Sequence, residues 1–104
     1  MVRLIRTAAA EADLQDIWLV IAADNPDAAT SMLRRQGKRI ERLAQFPRLG
    51  NRRPDIAPSA RALVEGPYLI LFETEPDTDE GPVEWVEIVR VMDTRRNLQG
   101  INWA

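Results

Sequence analysis

Arginine supplies most of the side chains that could act on a ligand in this 104-residue chain, because the sequence contains no histidine and no cysteine. Histidine is the usual general base near neutral pH, cysteine supplies thiolate nucleophiles, and together they bind nearly every structural zinc ion. We therefore expect no catalytic residue, no metal site and no cofactor. The arginines can hold a carboxylate or a phosphate, so the composition favours a binding protein.

Arginines in the second half of the chain could make such contacts. Arg61 could face the open side of a sheet and grip a carboxylate or a phosphate, or it could pair with Glu73 or Glu87. Arg90 interrupts an apolar alternation, so it lies at the edge of an uncovered face or bonds an internal acid. The arginine pair at 95–96 follows the last predicted strand and could contact a target or be exposed charge.

Two amphipathic helices are predicted before most of the strands. Val2 to Arg6 alternates apolar and basic residues, which suits a short first strand. Residues 8 to 23 carry apolar side chains at spacings of three and four, which predicts the first helix. Asn25 can cap the second helix with Pro26 in its first turn, and the apolar spacing continues to about Phe46. The two helices should form a hairpin.

The second half of the chain predicts a small antiparallel sheet. Prolines and arginines break residues 47 to 58, so we expect a loop there. Three strands follow over residues 60 to 65, 68 to 75 and 83 to 92, and their short links favour antiparallel pairing. The sequence therefore predicts one α+β domain over residues 1–104, in which the first strand and a helical hairpin accompany an antiparallel sheet of three to four strands.

Both faces of the last predicted strand carry apolar residues. One side holds Val83, Trp85, Val89 and Val91, and the other holds Val86, Ile88 and Met92. Two helices can cover only one face, so we expect a partner protein to cover the other. We expect Trp18 in the core, Trp85 in a partner groove, and Trp103 either disordered or anchoring the tail.

Charge is unevenly distributed along the chain. The total is 14 basic against 16 acidic residues, which argues against a protein that coats nucleic acid or reads its sequence. Bases dominate residues 34 to 53, whereas seven acids and no base lie between residues 73 and 87. We expect the acidic turn, residues 76 to 82, to be a solvated hairpin tip. No signal peptide or membrane span is visible, which favours a cytoplasmic protein.

Short sequence pieces follow one another along the chain in a characteristic order and spacing. The pieces are Ala10-Glu-Ala-Asp-Leu14 with Ile17, Asn25-Pro26 with Ala28-Ala29, Ile40 with Leu43, Pro47 with Gly50, Arg61 with Leu63, Gly66 with Tyr68, and Ile88-Val-Arg90-Val91 followed by Arg95-Arg96. Together they resemble the ParE/RelE superfamily of type II toxin–antitoxin toxins, the plasmid-stabilisation family, and more closely its ParE branch.

The resemblance implies a helical hairpin packed on an antiparallel sheet and a toxin held inactive by a cognate ParD-like antitoxin in a hetero-oligomer. In the ParE branch the expected target is DNA gyrase, trapped with cut DNA. RelE-like members instead cleave messenger RNA on the ribosome, using an arginine directly after the tyrosine of the third strand. Here Leu69 follows Tyr68, so the resemblance favours gyrase inhibition without catalysis.

One position departs from the ParE pattern. Many members have histidine just before the arginine pair, where this chain has Asp93. An acid cannot imitate imidazole, so a non-toxic module that still binds antitoxin is a third hypothesis beside gyrase inhibition and ribonuclease activity. The candidate residues for contacts with antitoxin or target are Arg61, Tyr68, Trp85, Arg90, Asp93, Arg95 and Arg96.

Overall fold

A computed structural model describes residues 2–95, 101 and 103 of the chain. Its elements are β1 (Arg3–Arg6), α1 (Ala8–Ala22), α2 (Pro26–Arg42), β2 (Asn51–Arg52), β3 (Arg61–Glu65), β4 (Tyr68–Glu75) and β5 (Trp85–Asp93). Within the described residues, the strands form one sheet in the order β1-β5-β4-β3-β2. The predicted α+β class is therefore confirmed. None of the helices described is long and apolar enough to cross a bilayer.

The helical hairpin begins at the caps that the sequence supplies. Thr7 Oγ1 accepts a hydrogen bond from the amide of Ala10 at 3.0 Å, and Asn25 Oδ1 accepts one from the amide of Ala28 at 3.1 Å. Pro26 occupies the start of α2, where its missing N–H has no helical partner to lose. The second helix ends at Arg42, four residues before the predicted end. The amides of the next three residues, 43 to 45, donate to the carbonyls three residues earlier, as in a 3₁₀ turn, rather than four residues earlier.

The sheet has five strands and is mixed, rather than antiparallel with three to four strands. The segment predicted as a loop contributes β2, in which Asn51 and Arg52 pair with Ala62 and Arg61. The first strand pairs in parallel with β5, from Arg3 opposite Trp85 onward. Parallel pairing needs a long connection, and the two helices together with the hairpins between β1 and β5 provide one. β5 consequently lies inside the sheet, between β1 and β4.

A register shift in β5 changes which residues face the helices. The pairing skips from Leu71 opposite Arg90 to Phe72 opposite Ile88, so Val89 is the extra residue of a β-bulge. Ile88 and Val91 therefore both enter the core on the helix side, whereas Met92 packs on the other side. The predicted assignment of Val91 and Ile88 to opposite faces is wrong, because a strict two-residue alternation cannot anticipate a bulge.

The chain itself covers part of the second face of the sheet. Leu69, Leu71 and Met92 are buried there, and residues from the 53–60 segment, β3 and the tail pack against them. The Trp103 indole N–H donates to Ser59 Oγ at 3.1 Å and to Glu73 Oε2 at 3.0 Å. Trp103 itself is therefore held against the sheet, in agreement with the anchoring alternative rather than with disorder. The expectation that a partner must cover this face is wrong for these residues.

Gln36 is a buried polar residue in the apolar stripe of α2, between Met32 and Ile40. Its side chain is 1 % exposed, and neither amide atom has a hydrogen-bond partner among the residues described. Burial of an unpaired amide is unfavourable, so Gln36→Leu should raise the free energy of unfolding by about 1–2 kcal/mol. Urea denaturation measures the change. The exposed Gln15→Leu is the control and should change stability little, and a destabilised Gln36→Leu would contradict the prediction.

Candidate functional site

A groove of about 240 Å³ lies where the middle of α1 faces the end of β5. We call it the β5 groove, and its lining residues are Asp13, Asp16, Ile17, Val20, Tyr68, Arg90, Val91, Met92 and Asp93. The groove brings together three of the seven candidate residues, namely Tyr68, Arg90 and Asp93. Both apolar and charged side chains line it, and this mixture suits a contact with another macromolecule.

Asp13 and Arg90 form the central ion pair of the β5 groove. Arg90 Nε donates to Asp13 Oδ2 at 2.7 Å, and Arg90 Nη2 donates to Asp13 Oδ1 at 2.9 Å. The same carboxylate accepts a hydrogen bond from the Val91 amide at 2.9 Å. Val91 lies past Ile88, which is the last residue of β5 that pairs with β1. The bond to Asp13 raises the pKa of Arg90 above its ordinary value. Of the two alternatives for Arg90, bonding an internal acid is confirmed.

Thr7 fixes α1 to the bulge beside this ion pair. Its hydroxyl donates to the Val89 carbonyl at 2.8 Å, and its amide donates to the Ile88 carbonyl at 3.0 Å. The same hydroxyl oxygen caps α1. Sequence reasoning missed Asp13 and Thr7 as site residues, because early-turn acids and a cap are explained by the helix alone. The sequence signal for this ion pair is Arg90, whose charge interrupts the apolar alternation of the last predicted strand. It predicts an acidic partner but does not identify which acid.

Asp93 and Arg95 form a second ion pair at the rim of the groove. Asp93 Oδ1 accepts from the Arg95 amide at 2.8 Å and from Arg95 Nε at 2.9 Å, and Asp93 Oδ2 accepts from Nη2. Asp93 raises the pKa of Arg95, and nearby Tyr68 adds to the effect. The Arg95 side chain is still 80 % exposed, so the carboxylate orients a cation that a partner can reach. Arg96 lies outside the described residues.

Arg61 does not face an open side of the sheet. It is 4 % exposed and shares its side of β3 with the core residue Leu63. Its guanidinium bonds Thr78 O at 3.2 Å and Asp79 Oδ1 at 3.1 Å, so its acid is neither Glu73 nor Glu87. The expected exposed position is wrong, because the acidic turn between β4 and β5 covers Arg61, while residues 77–82 of the turn remain exposed as expected for a solvated hairpin tip.

The remaining tryptophans lie away from the β5 groove. Trp85 begins β5 opposite Glu75, at the far end of the strand from Asp93, and it is half-buried. Trp18 is also half-buried rather than a core residue, because the buried positions of α1 are Ala10 and Leu14. Trp18 lines a second groove, the helix groove, which we define by its lining residues. They are Arg6, Ala8, Glu11, Ala12, Leu14, Gln15, Trp18 and Leu33.

Comparison with known proteins identifies the family. The sequence model of one protein family, described as the ParE toxin of the type II toxin-antitoxin system, parDE, matches residues 4–98 of this chain. The chain belongs to the ParE toxin family. The ParE3 toxin of Caulobacter vibrioides is 31 % identical to it over 99 residues, covering 94 % of this chain and 92 % of that protein.

A solved structure of the chromosomal ParDE TA system from P. aeruginosa shows the same fold as this ParE-family chain. The TM-score is 0.71 at 23 % sequence identity, and the match covers 91 % of this chain and 98 % of the other. The resemblance to the ParE branch, read from the sequence, is therefore confirmed.

Most residues that carried this ParE resemblance serve the fold. Ala10, Leu14, Ile40 and Leu43 are buried and belong to the main core. Asn25 and Pro26 open α2. A pattern made of core and capping residues identifies the architecture, whereas function depends on exposed groups placed on it. The groups through which the protein could bind a partner are therefore the exposed cation Arg95 and the two grooves.

Proposed function

We propose that this ParE-family toxin inhibits DNA gyrase by binding it, without catalysis of its own, and that a cognate ParD-like antitoxin neutralises it in a hetero-oligomer. Gyrase acts on chromosomal DNA, so the proposed site of action is the cytoplasm. The observation that supports target binding is the rim of the β5 groove, where Asp93 orients the exposed Arg95 beside Tyr68. A cation held in place by an acid loses little conformational freedom when a partner binds.

Two carboxylates of the β5 groove, those of Asp13 and Asp93, favour binding over RNA cleavage. Attack by a ribose 2′-hydroxyl requires a proton acceptor within hydrogen-bond reach. Asp13 accepts bonds from Arg90 and the Val91 amide, and Asp93 accepts bonds from Arg95. These lone pairs already accept charge-assisted hydrogen bonds, so the two acids are better suited to positioning cations.

The helix groove supports a separate place for the antitoxin. Apolar atoms of Leu14, Trp18 and Leu33 line it, and Leu33 remains partly exposed. The neighbouring outer face of α2 carries exposed cations, which are Arg34, Arg35, Lys38 and Arg42. An amphipathic helix with an acidic polar face would place its apolar residues in the groove and its acids near these cations.

Two charge reversals test the two surfaces separately. Arg95→Glu should weaken inhibition of purified gyrase in a supercoiling assay by at least about ten-fold and leave antitoxin affinity unchanged. Lys38→Glu, also at an exposed cation, should weaken antitoxin affinity, measured by isothermal titration, and leave gyrase inhibition unchanged. Both side chains are exposed, so neither change should unfold the protein.

The unmodified protein provides the main test of gyrase inhibition. It should inhibit supercoiling by purified gyrase, and cut DNA that is trapped on gyrase should accumulate. Messenger cleavage on ribosomes without trapped DNA would instead assign the chain to ribonuclease activity of the RelE type. Normal growth of a bacterium that expresses the chain alone at a good level would favour a non-toxic module that keeps only antitoxin binding.

A further inference from the structure

The acidic turn between β4 and β5 is held by arginines from three other parts of the chain. These residues, the arginine triad, are Arg48, Arg52 and Arg61. Arg48 Nε donates to the Thr78 carbonyl at 2.8 Å, and its Nη2 donates to the Thr78 hydroxyl at 3.1 Å. Arg48 follows α2, Arg52 lies in β2 and Arg61 begins β3, so the fold brings the cations together.

Two aspartates of the turn neutralise the other members of the triad. Arg52 Nε donates to Asp79 Oδ1 at 2.8 Å, and Arg52 Nη1 donates to Asp77 Oδ1 at 3.0 Å. Arg61 Nη2 reaches the same Asp79 oxygen at 3.1 Å. One carboxylate oxygen therefore bridges two guanidinium groups. The bond to Arg52 lowers the pKa of Asp79 below its ordinary value.

Arg61 requires an anion at this position. It is 4 % exposed, and its Nε is buried without a hydrogen-bond partner among the described residues. Arginine stays charged at any ordinary pH, so its burial is tolerated only where an anion compensates for the lost water. The cationic groups gathered around it repel one another unless a negative group lies between them.

The turn that supplies the anion is itself open to solvent. The side chain of Asp79 is 75 % exposed and that of Asp77 is 40 % exposed. Exposed ion pairs are individually weak and are screened by salt. A ligand with several closely spaced negative charges could therefore replace the aspartates at the triad.

We propose that the arginine triad is a binding site for the phosphate backbone of DNA, and that the acidic turn covers it in the free protein. This inference rests on the proposed function, because a toxin that traps cut DNA on gyrase lies beside phosphates. Guanidinium groups bind phosphate oxygens without reading sequence.

A variant that removes two negative charges from the acidic turn tests the proposal in the absence of gyrase. Asp77→Asn combined with Asp79→Asn should bind a fluorescent duplex oligonucleotide at least about ten-fold more tightly than the unmodified protein at about 50 mM salt. Glu80→Gln combined with Glu84→Gln is the matched control, because it removes the same charge from exposed acids whose side chains bond none of the three arginines among the described residues. Fluorescence anisotropy measures both affinities.

Three results would overturn the proposal. Equal affinity of the two double variants would show that net charge alone attracts DNA. Addition of Arg52→Gln to the Asp77→Asn, Asp79→Asn variant should abolish the gain, and an undiminished gain would place the DNA elsewhere. Polyglutamate that competes as well as DNA at equal charge would assign the site to an acidic protein segment instead.

A second measurement covers variants that fail to fold. In the unmodified protein, titration with the duplex should shift the side-chain ¹⁵N signals of Arg48 and Arg52 more than that of the distant Arg34. No selective shift would overturn the proposal. The DNA measurements contain no gyrase, so a failure to bind DNA is distinguishable from a failure to inhibit gyrase.

Discussion

Gly50→Ala should lower the free energy of unfolding by about 3 kcal/mol or more, although it adds a single methyl group. A Cβ atom at Gly50 would lie 2.5 Å from the Ala62 carbonyl oxygen and 2.6 Å from Phe72 Cε1. Neither neighbour can move freely, because Ala62 pairs with Asn51 and Leu71, and Phe72 is fully buried. The substitution would therefore separate the 47–50 segment from β3.

A second glycine provides a control with the opposite sign. An added Cβ at Gly37, inside α2, meets no atom within 4 Å. Gly37→Ala should raise the free energy of unfolding by about 0.5–1 kcal/mol, because alanine favours the helix and loses less chain entropy. Urea denaturation of both variants, with comparable m-values, checks the pair. Equal stability of the two variants would show that the close contact at Gly50 relaxes.

Asp13→Ala should lower the free energy of unfolding by about 2–4 kcal/mol. The carboxylate accepts three hydrogen bonds, two from Arg90 and one from the Val91 amide. Its removal leaves a half-buried guanidinium and a strand amide without their acceptor. We place the loss at the lower end of the range for buried pairs, because Arg90 retains partial access to water.

Asp16→Ala is the matched control for this change. Asp16 lines the same groove and belongs to the same helix, but its side chain is exposed. Its removal should change stability by no more than about 0.5 kcal/mol. A double-mutant cycle of Asp13→Ala with Arg90→Ala should give a coupling energy of at least about 1 kcal/mol. Additive effects would show that Asp13 acts through the Val91 amide alone.

The helices could be predicted from the sequence because their signals are local. Asn25 and Pro26 open α2 by a rule that involves only neighbouring residues, and the structure has the cap at that position. The apolar spacing in α2 likewise predicted its buried stripe at Met32 and Ile40. Trp18 shows the limit of this reasoning, since spacing defines a helix face and tertiary packing decides how much of that face is covered.

The sheet was predicted less completely, because its distinctive features depend on distant residues. β2 has only Asn51 and Arg52, and it forms through pairing with β3 rather than through its own propensity. The bulge at Val89 likewise arises where Leu71 and Phe72 meet β5. No alternation within the 83–92 segment can show where such an extra residue falls.

The site was predicted in its residue types but not in its contacts. A bond to an internal acid was one of two alternatives for Arg90, and its partner Asp13 lies 77 positions earlier in the sequence. Arg61 was expected at a surface, and the turn that buries it begins fifteen residues later, at Pro76. Tyr68 and Asp93 were grouped through family resemblance, and their pairing across β4 and β5 is what places both in one groove. Long-range pairing is the information that local pattern lacks.

The position of β5 bears on how this toxin is made in the cell. The ribosome synthesises β5 after the other strands, yet it occupies the interior of the sheet and joins the first strand to the remaining three. A growing chain therefore cannot complete its hydrogen-bonded sheet until β5 has left the ribosome. A message cut short before the codon of Trp85 would yield a polypeptide without this central strand, so the sheet should form only after β5 has been synthesised.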